Sequence, residues 1–187
     1  MDLVLPLMYS FLTCSRGQIM TYLSLHHDFL QDLLYKPLNL SCTASVPESE
    51  STDYGACVFK LNGLNIRFRV AKITPTKIGQ FVTLWKRIAK GPIQPYDALD
   101  AVDFFVISVR DKNNFGQFVF PKSILLEKDI FSKNGKGGKR GIRVYPAWDK
   151  ALSSQAKKTQ QWQLNYFLNM PTDGSIDYGR ASLLYSS

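Results

Sequence analysis

The chain has 187 residues, of which 45% are hydrophobic and 13% aromatic, enough for one folded domain and too much for a globally disordered chain. Its 23 Lys and Arg residues outnumber its 15 carboxylates and give a formal net charge of +8. This surplus indicates a polyanionic partner, with nucleic acid as the first choice, unless the charge has no specific role. Whether the cations cluster along the chain therefore decides between a nucleic-acid partner and a charge without a specific role.

The N-terminal segment shows neither a secretory signal nor a membrane helix. Asp2 stands where a signal peptide needs a positive charge, and Pro6 interrupts an apolar run too short to span a bilayer. The three cysteines show no CxxC spacing, which is typical of free thiols in a reducing compartment. We expect a cytoplasmic protein without membrane insertion. We expect residues 1–18 to be a loosely ordered extension, residues 19–170 a single domain, and residues 171–187 a poorly ordered tail.

Apolar periodicity predicts the secondary structure in chain order. Helical spacing predicts helices over residues 18–35, 78–88 and 154–168, the first of them stopped by Pro37. Alternation and β-forming residues predict strands over residues 38–46, 56–61, 66–73, 101–109, 115–120 and 142–145. Asn62-Gly63 predicts a hairpin turn. This order of elements indicates an α/β (α+β) fold with a central mixed sheet flanked by helices.

The segment from Ile66 to Arg87 carries six Lys or Arg residues among aromatics and no carboxylate. Strand alternation places Arg67 and Arg69 on one face, and Lys72 on the other face with Phe68. A second basic region follows in the glycine-rich loop over residues 132–141. This loop lacks the GxxxxGK[ST] spacing of a phosphate loop and leads into a strand, so it predicts either contacts to a phosphate backbone or an ordinary solvated turn.

These two regions supply the candidate nucleic-acid contacts. Cations would bind phosphates and aromatic rings would stack on bases. The candidates are Arg67, Arg69, Lys72, Lys77, Lys86, Lys139, Arg140, Arg143, Tyr145 and Trp148.

Several motifs together resemble the MepB family, over about residues 20–169. They are Arg69–Val82, Trp85–Arg87, Gly116–Pro121, Gly138–Pro146 and Trp162-Gln163. The resemblance implies an association with a multidrug-resistance operon of the staphylococcal type. It also implies an architecture similar to the PD-(D/E)XK nucleases, whose core is a helix, three strands, a helix and a further strand.

The nuclease pattern is incomplete in this sequence. In that group an Asp on the second strand and a Glu-x-Lys on the third hold a divalent metal and activate water. Asp53 falls just before the second predicted strand, and Val70-Ala71-Lys72 occupies the Glu-x-Lys position. Valine cannot bind a metal ion, so Asp53 and Lys72 are vestigial candidates unless Glu48, Glu50, Asp100 or Asp103 supplies the missing carboxylate. His26 and His27 are adjacent and cannot share a helical face, so we expect no metal site and no cofactor.

Three hypotheses follow. The first is a non-catalytic nucleic-acid-binding protein on a degenerate nuclease-like fold, which favours single-stranded DNA and RNA over duplex DNA because stacking requires unpaired bases. The second is a metal-dependent nuclease with a displaced carboxylate. The third is an accessory protein of drug efflux. The sequence identifies no protein partner.

Overall fold

The computed structural model describes residues 29–112, 114–171 and 175–186, and more of these residues lie in β-strands than in helices. The strands are β1 (Val46–Pro47), β2 (Cys57–Leu61), β3 (Leu64–Val70), β4 (Lys72–Thr74), β5 (Lys77–Thr83), β6 (Trp85–Arg87), β7 (Ile93–Pro95), β8 (Phe104–Asp111), β9 (Asn114–Pro121), β10 (Gly141–Val144) and β11 (Phe167–Asn169). The α-helices are α1 (Lys122–Glu127), α2 (Ser154–Gln163) and α3 (Tyr178–Tyr185). Gln31–Tyr35 forms a π-helical turn, and Thr52–Tyr54 and Leu164–Tyr166 form 3-10 turns.

A mixed sheet in the order β1-β2-β3-β8-β9-β11 forms the centre of the described molecule. The β2–β3 and β8–β9 pairs are antiparallel, whereas β3 and β8 run parallel. The predicted Asn62-Gly63 turn joins β2 to β3, and both of its residues have positive φ, as a tight hairpin requires. The predicted α+β class with a central mixed sheet is therefore confirmed.

Both faces of the central sheet are covered, which explains why β8 is a nearly continuous apolar run. Phe104 and Val106 pack into one core together with the π-helical turn and α3, whereas Phe105 and Ile107 pack into a second core. A smaller sheet in the order β10-β5-β4 covers the second core, and its residues Val82, Ile142 and Val144 point into that core. Beside this small sheet, β6 and β7 form a hairpin.

The helix predicted over residues 78–88 is wrong, because this segment forms β5 and β6. Gln80, Val82 and Leu84 alternate into the buried layer, a period of two that the helical spacing of the same apolar residues obscured. The expected nuclease-like core has a helix between its third and fourth strands. In this chain β4 to β7 occupy that connection between the parallel strands β3 and β8.

Other boundaries also differ. Residues 38–46 form only an isolated bridge, Cys42 to Leu61, before β1. The last predicted helix ends at Gln163 and is followed by β11, an edge strand whose partner is β9. The sequence analysis missed α1, which starts directly after Pro121. The predicted strands over residues 56–61, 66–73, 101–109, 115–120 and 142–145 are confirmed within a few residues, the second of them as β3 and β4.

The C-terminal region contains an ordered helix, contrary to the expected tail. Ala181, Leu184 and Tyr185 of α3 are buried against the first core, because the apolar residues recur at helical spacing. Residues 1–18, Cys14 and the two histidines lie outside the described residues, whereas Cys57 is a buried free thiol. Within the described ranges, no helix has the length and apolar content needed to cross a bilayer.

Candidate nucleic-acid interface

The outer face of the small sheet carries a row of three side chains across three strands. Arg143 of β10 lies opposite Phe81 of β5, and Phe81 lies opposite Lys72 of β4. Directly opposed residues share one face of an antiparallel sheet, so an aromatic ring lies between two cations. Lys72 is exposed, and Phe81 and Arg143 are half-buried. The alternate residues Val82 of β5 and Ile142 and Val144 of β10 fill the core beneath.

Two glycines make room for aromatic rings on this face. A Cβ atom at Gly79 would come within 2.7 Å of Cε1 of Tyr145, and a Cβ at Gly141 within 2.7 Å of Cζ of Phe81. Each ring therefore lies against a strand where no side chain stands in its way. Tyr54 completes the group, with its ring 6.2 Å from Phe81 and 4.7 Å from Nζ of Lys72. We call Tyr54, Lys72, Phe81, Arg143 and Tyr145 the aromatic-basic face.

The buried amide of Gln163 in α2 positions two members of this face. Its Nε2 donates to the carbonyl oxygen of Arg143 over 2.9 Å, and its Oε1 accepts from the backbone N–H of Tyr145 over 2.9 Å. The Arg143 guanidinium donates to Oγ1 of Thr74 at 2.7 Å and to the carbonyl oxygen of Gly79 at 3.0 Å. Helix α2 and the turn between β4 and β5 thus fix the orientation of Arg143.

Two predicted phosphate contacts, Arg67 and Arg69, lie on the face of β3 that points toward the second core, over the rings of Tyr96 and Phe105. Both form ion pairs with Glu48, and Arg69 is only 1% exposed. Arg69 also donates to the Tyr96 hydroxyl at 3.2 Å and lies over the Phe105 ring. Arg67 and Arg69 share one face of β3 as predicted, but that face is covered. Lys72 does not share a strand face with Phe68, because it lies on β4 of the small sheet, whereas Phe68 is buried in the first core. A phosphate cannot reach Arg69 in this arrangement.

The acidic connection before β2 lies against the segment from Ile66 to Arg87, which we call the basic segment. We define the acidic segment as residues 48–53. Besides the pairs of Glu48, Oε1 of Glu50 accepts from Nε of Arg87 at 2.7 Å, and Oδ2 of Asp53 lies 4.0 Å from Nζ of Lys72. Four of the six cations between Ile66 and Arg87 therefore have a carboxylate partner from the acidic segment.

The vestigial nuclease candidates Asp53 and Lys72 come together, but the rest of a metal site does not. Val70 packs against the first core, in the position where the nuclease pattern requires a carboxylate. No group of three His, Cys, Asp or Glu side chains arranged to hold a metal ion occurs within residues 29–112, 114–171 and 175–186. Burial and the nearby Asp53 carboxylate raise the pKa of Tyr54, so its ring is a neutral stacking surface.

The glycine-rich loop is closed around the carboxylate of Asp97, a residue outside the loop. Asp97 accepts hydrogen bonds from Oγ of Ser132 at 2.6 Å, from the Gly135 N–H at 2.9 Å and from the Leu99 N–H at 3.1 Å. These bonds lower the pKa of Asp97 to about 2. The Gly135 N–H, which could otherwise donate to a phosphate oxygen, already donates to Asp97. This favours the interpretation of the loop as a structural turn.

The remaining candidate cations are placed around this loop and the small sheet. Lys139 and Arg140 are exposed, although Nε of Arg140 donates to the carbonyl oxygen of Ile93 at 3.1 Å. Lys86 forms an ion pair with Asp100. Lys77 is exposed beside the aromatic-basic face.

Trp148 packs inward more than the sequence analysis expected. It is half-buried, and its ring meets that of Phe167 edge-on with 5.6 Å between centroids. It lines a shallow cleft of about 330 Å³ together with Lys77, Ile78 and Asp149. Burial, together with Asp111, raises the pKa of Asp149 at this cleft.

Sequence reasoning missed Tyr54, Phe81 and Gln163. The signal for Phe81 was present, because Gly79, Phe81 and Thr83 alternate with buried residues in a segment rich in β-forming side chains. Nothing local identifies Tyr54, whose neighbours on the face come from three later strands.

Comparisons with known proteins found a matching family model and similar solved structures. A family model described as MepB-like matches residues 48–169. A solved crystal structure of MepB shares 33% sequence identity and a TM-score of 0.68, and the match covers 87% of this chain and 100% of that one. A bacterial homing endonuclease structure matches at 14% identity and a TM-score of 0.45, over 80% of this chain and 93% of the other. No curated protein matches the chain.

Proposed function

The chain belongs to the MepB-like family, and we propose that this member is a non-catalytic nucleic-acid-binding protein that uses the aromatic-basic face. The observation that carries the proposal is the cross-strand row Arg143–Phe81–Lys72. Rings interleaved with cations on an open sheet suit a strand whose bases stack while its phosphates pair with Lys and Arg.

Single-stranded DNA and RNA fit this face better than duplex DNA. Duplex offers higher charge density, but its bases are stacked on each other and unavailable to Phe81 or Tyr145. Two of the predicted arginines are engaged by Glu48, so fewer cations are free to follow a duplex. Each base stacked on an aromatic side chain is worth ~1–3 kcal/mol, which outweighs a modest loss of phosphate contacts.

We expect binding without cleavage because the described residues do not supply a full set of ligands for a catalytic metal ion. Magnesium-dependent hydrolysis requires carboxylates around the ion, and the described residues contain no group of three His, Cys, Asp or Glu side chains that could hold one. Asp53 lies 4.0 Å from Lys72, with which it forms an ion pair. The approach of these two side chains is the observation that favours the alternative, a metal-dependent nuclease with a displaced carboxylate. Cleavage in magnesium or manganese that Lys72→Ala abolishes would establish that alternative.

The cellular setting belongs to the same proposal. We expect a cytoplasmic protein whose gene lies in a drug-resistance operon, as the family resemblance implies.

A binding titration tests the function. Fluorescently labelled single-stranded DNA, RNA and duplex DNA are titrated at two salt concentrations, with the wild type and with Tyr145→Leu. Tyr178→Leu on α3 is the control, because it removes a tyrosine that is 40% exposed on a different element.

We expect tighter binding to the single strands, with log K falling by ~0.7 per phosphate contact for each unit of log salt. Tyr145→Leu should cost single strands ~1–3 kcal/mol and duplex much less, whereas Tyr178→Leu should cost neither. A salt-insensitive complex, a duplex preference, or equal losses on both substrates contradicts the proposed interface.

A further inference from the structure

The acidic segment meets the basic segment along its whole length. Glu48 pairs with arginines of β3, Glu50 with Arg87 of β6, and Asp53 approaches Lys72 of β4. Three carboxylates thus face cations that a phosphate backbone would seek. A row of carboxylates at intervals of two to three residues resembles a polyanion in its charge pattern.

The same segment covers part of the aromatic-basic face. Its Ser51 Oγ lies 3.0 Å from Oγ1 of Thr83, which shares the outer face of β5 with Phe81. Directly after Asp53, the Tyr54 ring packs edge-on against Phe81. The segment therefore lies on the surface assigned to the nucleic acid and not beside it.

The two halves of the segment are held with unequal strength. Glu48 is 17% exposed, and one of its partners, Arg69, is almost fully buried, so this end is an anchor. Glu50 and Arg87 are each 35% exposed, and Asp53 is 75% exposed. Ion pairs at such exposure are weak and salt-sensitive, so the outer half can leave without unfolding the anchor.

We propose that Glu50 and Asp53 stand in for phosphates, and that a bound single strand displaces them so that Arg87 and Lys72 become phosphate ligands. The inference rests on the proposed function and adds to it a competing segment of the same chain. A small anion that binds Arg87 or Lys72 replaces one carboxylate, so one ion pair forms and one is lost. A nucleic-acid strand replaces both carboxylates at once and adds base stacking. The acidic segment would therefore select against small anions.

Salt dependence is the measurement that tests the displacement. In the wild type an incoming phosphate exchanges with a carboxylate, so few counterions are released at Arg87 and Lys72. In Glu50→Gln/Asp53→Asn both cations recruit counterions that a nucleic acid then releases. The matched control is Glu127→Gln/Asp129→Asn, which removes two exposed carboxylates at the end of α1. Asp129 has a left-handed backbone conformation, which Asn tolerates.

An oligothymidylate of about 16 nucleotides is titrated over a range of salt concentrations. Glu50→Gln/Asp53→Asn should bind it more tightly than wild type and steepen the slope of log K against log salt by ~1.4, from two contacts at ~0.7 each. The control variant should leave the slope unchanged. Equal slopes for wild type and both variants overturn the inference alone. Absence of oligothymidylate binding by all three proteins overturns the proposed function and the inference with it.

Hydrogen exchange of the wild type gives a readout that needs no variant. The Tyr54 N–H donates to the carbonyl oxygen of Ser51, and the Gly55 N–H to that of Thr52. Displacement of the outer half should break these bonds, so both amides should exchange faster when the oligothymidylate binds. Slower exchange there would show that the strand binds on top of the segment, which contradicts displacement.

Discussion

The ring of Tyr145 lies against Gly79, on the strand next to its own. Gly79 is required twice at this position. Its φ of +83° is a conformation that L side chains rarely adopt, and its missing Cβ leaves the space in which the ring lies, with Cε1 2.7 Å from where a Cβ would be. A single glycine therefore determines both the path of β5 and the presentation of an aromatic ring.

Gly79→Ala should separate these two effects when it is compared with Gly63→Ala. Gly63 has a similar φ of +84°, but a Cβ there would have no neighbour within 4 Å. We expect Gly63→Ala to cost ~1–2 kcal/mol from the backbone alone. Gly79→Ala should cost ~1–3 kcal/mol more, because the Tyr145 ring must move.

Urea unfolding measures both costs, and the single-strand titration shows whether the ring has moved. Gly79→Ala should weaken binding and Gly63→Ala should not. Equal stability losses in the two variants would mean that Tyr145 adapts freely and that Gly79 does not position it.

Strands with a buried alternating face could be predicted from the sequence, and segments with two possible periods could not. Residues 104–109 are apolar except for Ser108 because both sheet faces are covered, and their strand was predicted. Residues 77–83 place Ile78, Phe81 and Val82 at spacings compatible with a helix. The strand prevails because Gln80 and Val82 fill the second core and because Gly79 adopts a positive φ that a right-handed helix excludes.

The candidate site was only partly predictable for a different reason. The sequence shows where cations cluster but not which carboxylates fold onto them. Arg69 and Glu48 are 21 positions apart in the chain and meet only because β1 and β3 flank β2 in the sheet. Lys72 and Arg143 were predicted as contacts because they lie in the two cation-rich regions, and the structure places both on one face of the small sheet. Tyr54, the aromatic neighbour of Lys72, could not be predicted, because its position depends on the path of the acidic segment.

The glycine-rich loop should respond to pH through Asp97. In the unfolded chain its carboxyl titrates near ~3.9, and in the folded chain hydrogen bonds from Ser132 and Gly135 lower its pKa to about 2. A lowered folded pKa stabilises the fold fully above the unfolded pKa, and this contribution is lost as pH falls toward the folded value. We expect loop stability to be constant above that range and to decline below it.

An NMR titration tests this directly. The Asp97 carboxyl resonance and the Gly135 amide should shift together, with a midpoint near the value of about 2. Asp97→Asn should remove the transition and accelerate exchange of the Gly135 amide, because a neutral amide oxygen accepts more weakly than a carboxylate. A normal midpoint for Asp97 would show that the loop is not closed around it in solution.

Glu48 should be the most sensitive carboxylate of the acidic segment. It is the ion-pair partner of Arg69, a guanidinium only 1% exposed, and Glu48→Gln leaves that charge buried with its remaining partners Tyr96 and the Phe68 carbonyl. An uncompensated buried charge costs ~3–5 kcal/mol, which urea unfolding would detect.

Replacing the arginine as well, in Glu48→Gln/Arg69→Met, should recover part of this loss because the charge that needed a partner is gone. Glu50→Gln, at a pair that is 35% exposed on both sides, should cost no more than ~1 kcal/mol. If the double variant were less stable than Glu48→Gln alone, the arginine would be stabilising without its carboxylate, and the anchor of the acidic segment would lie elsewhere.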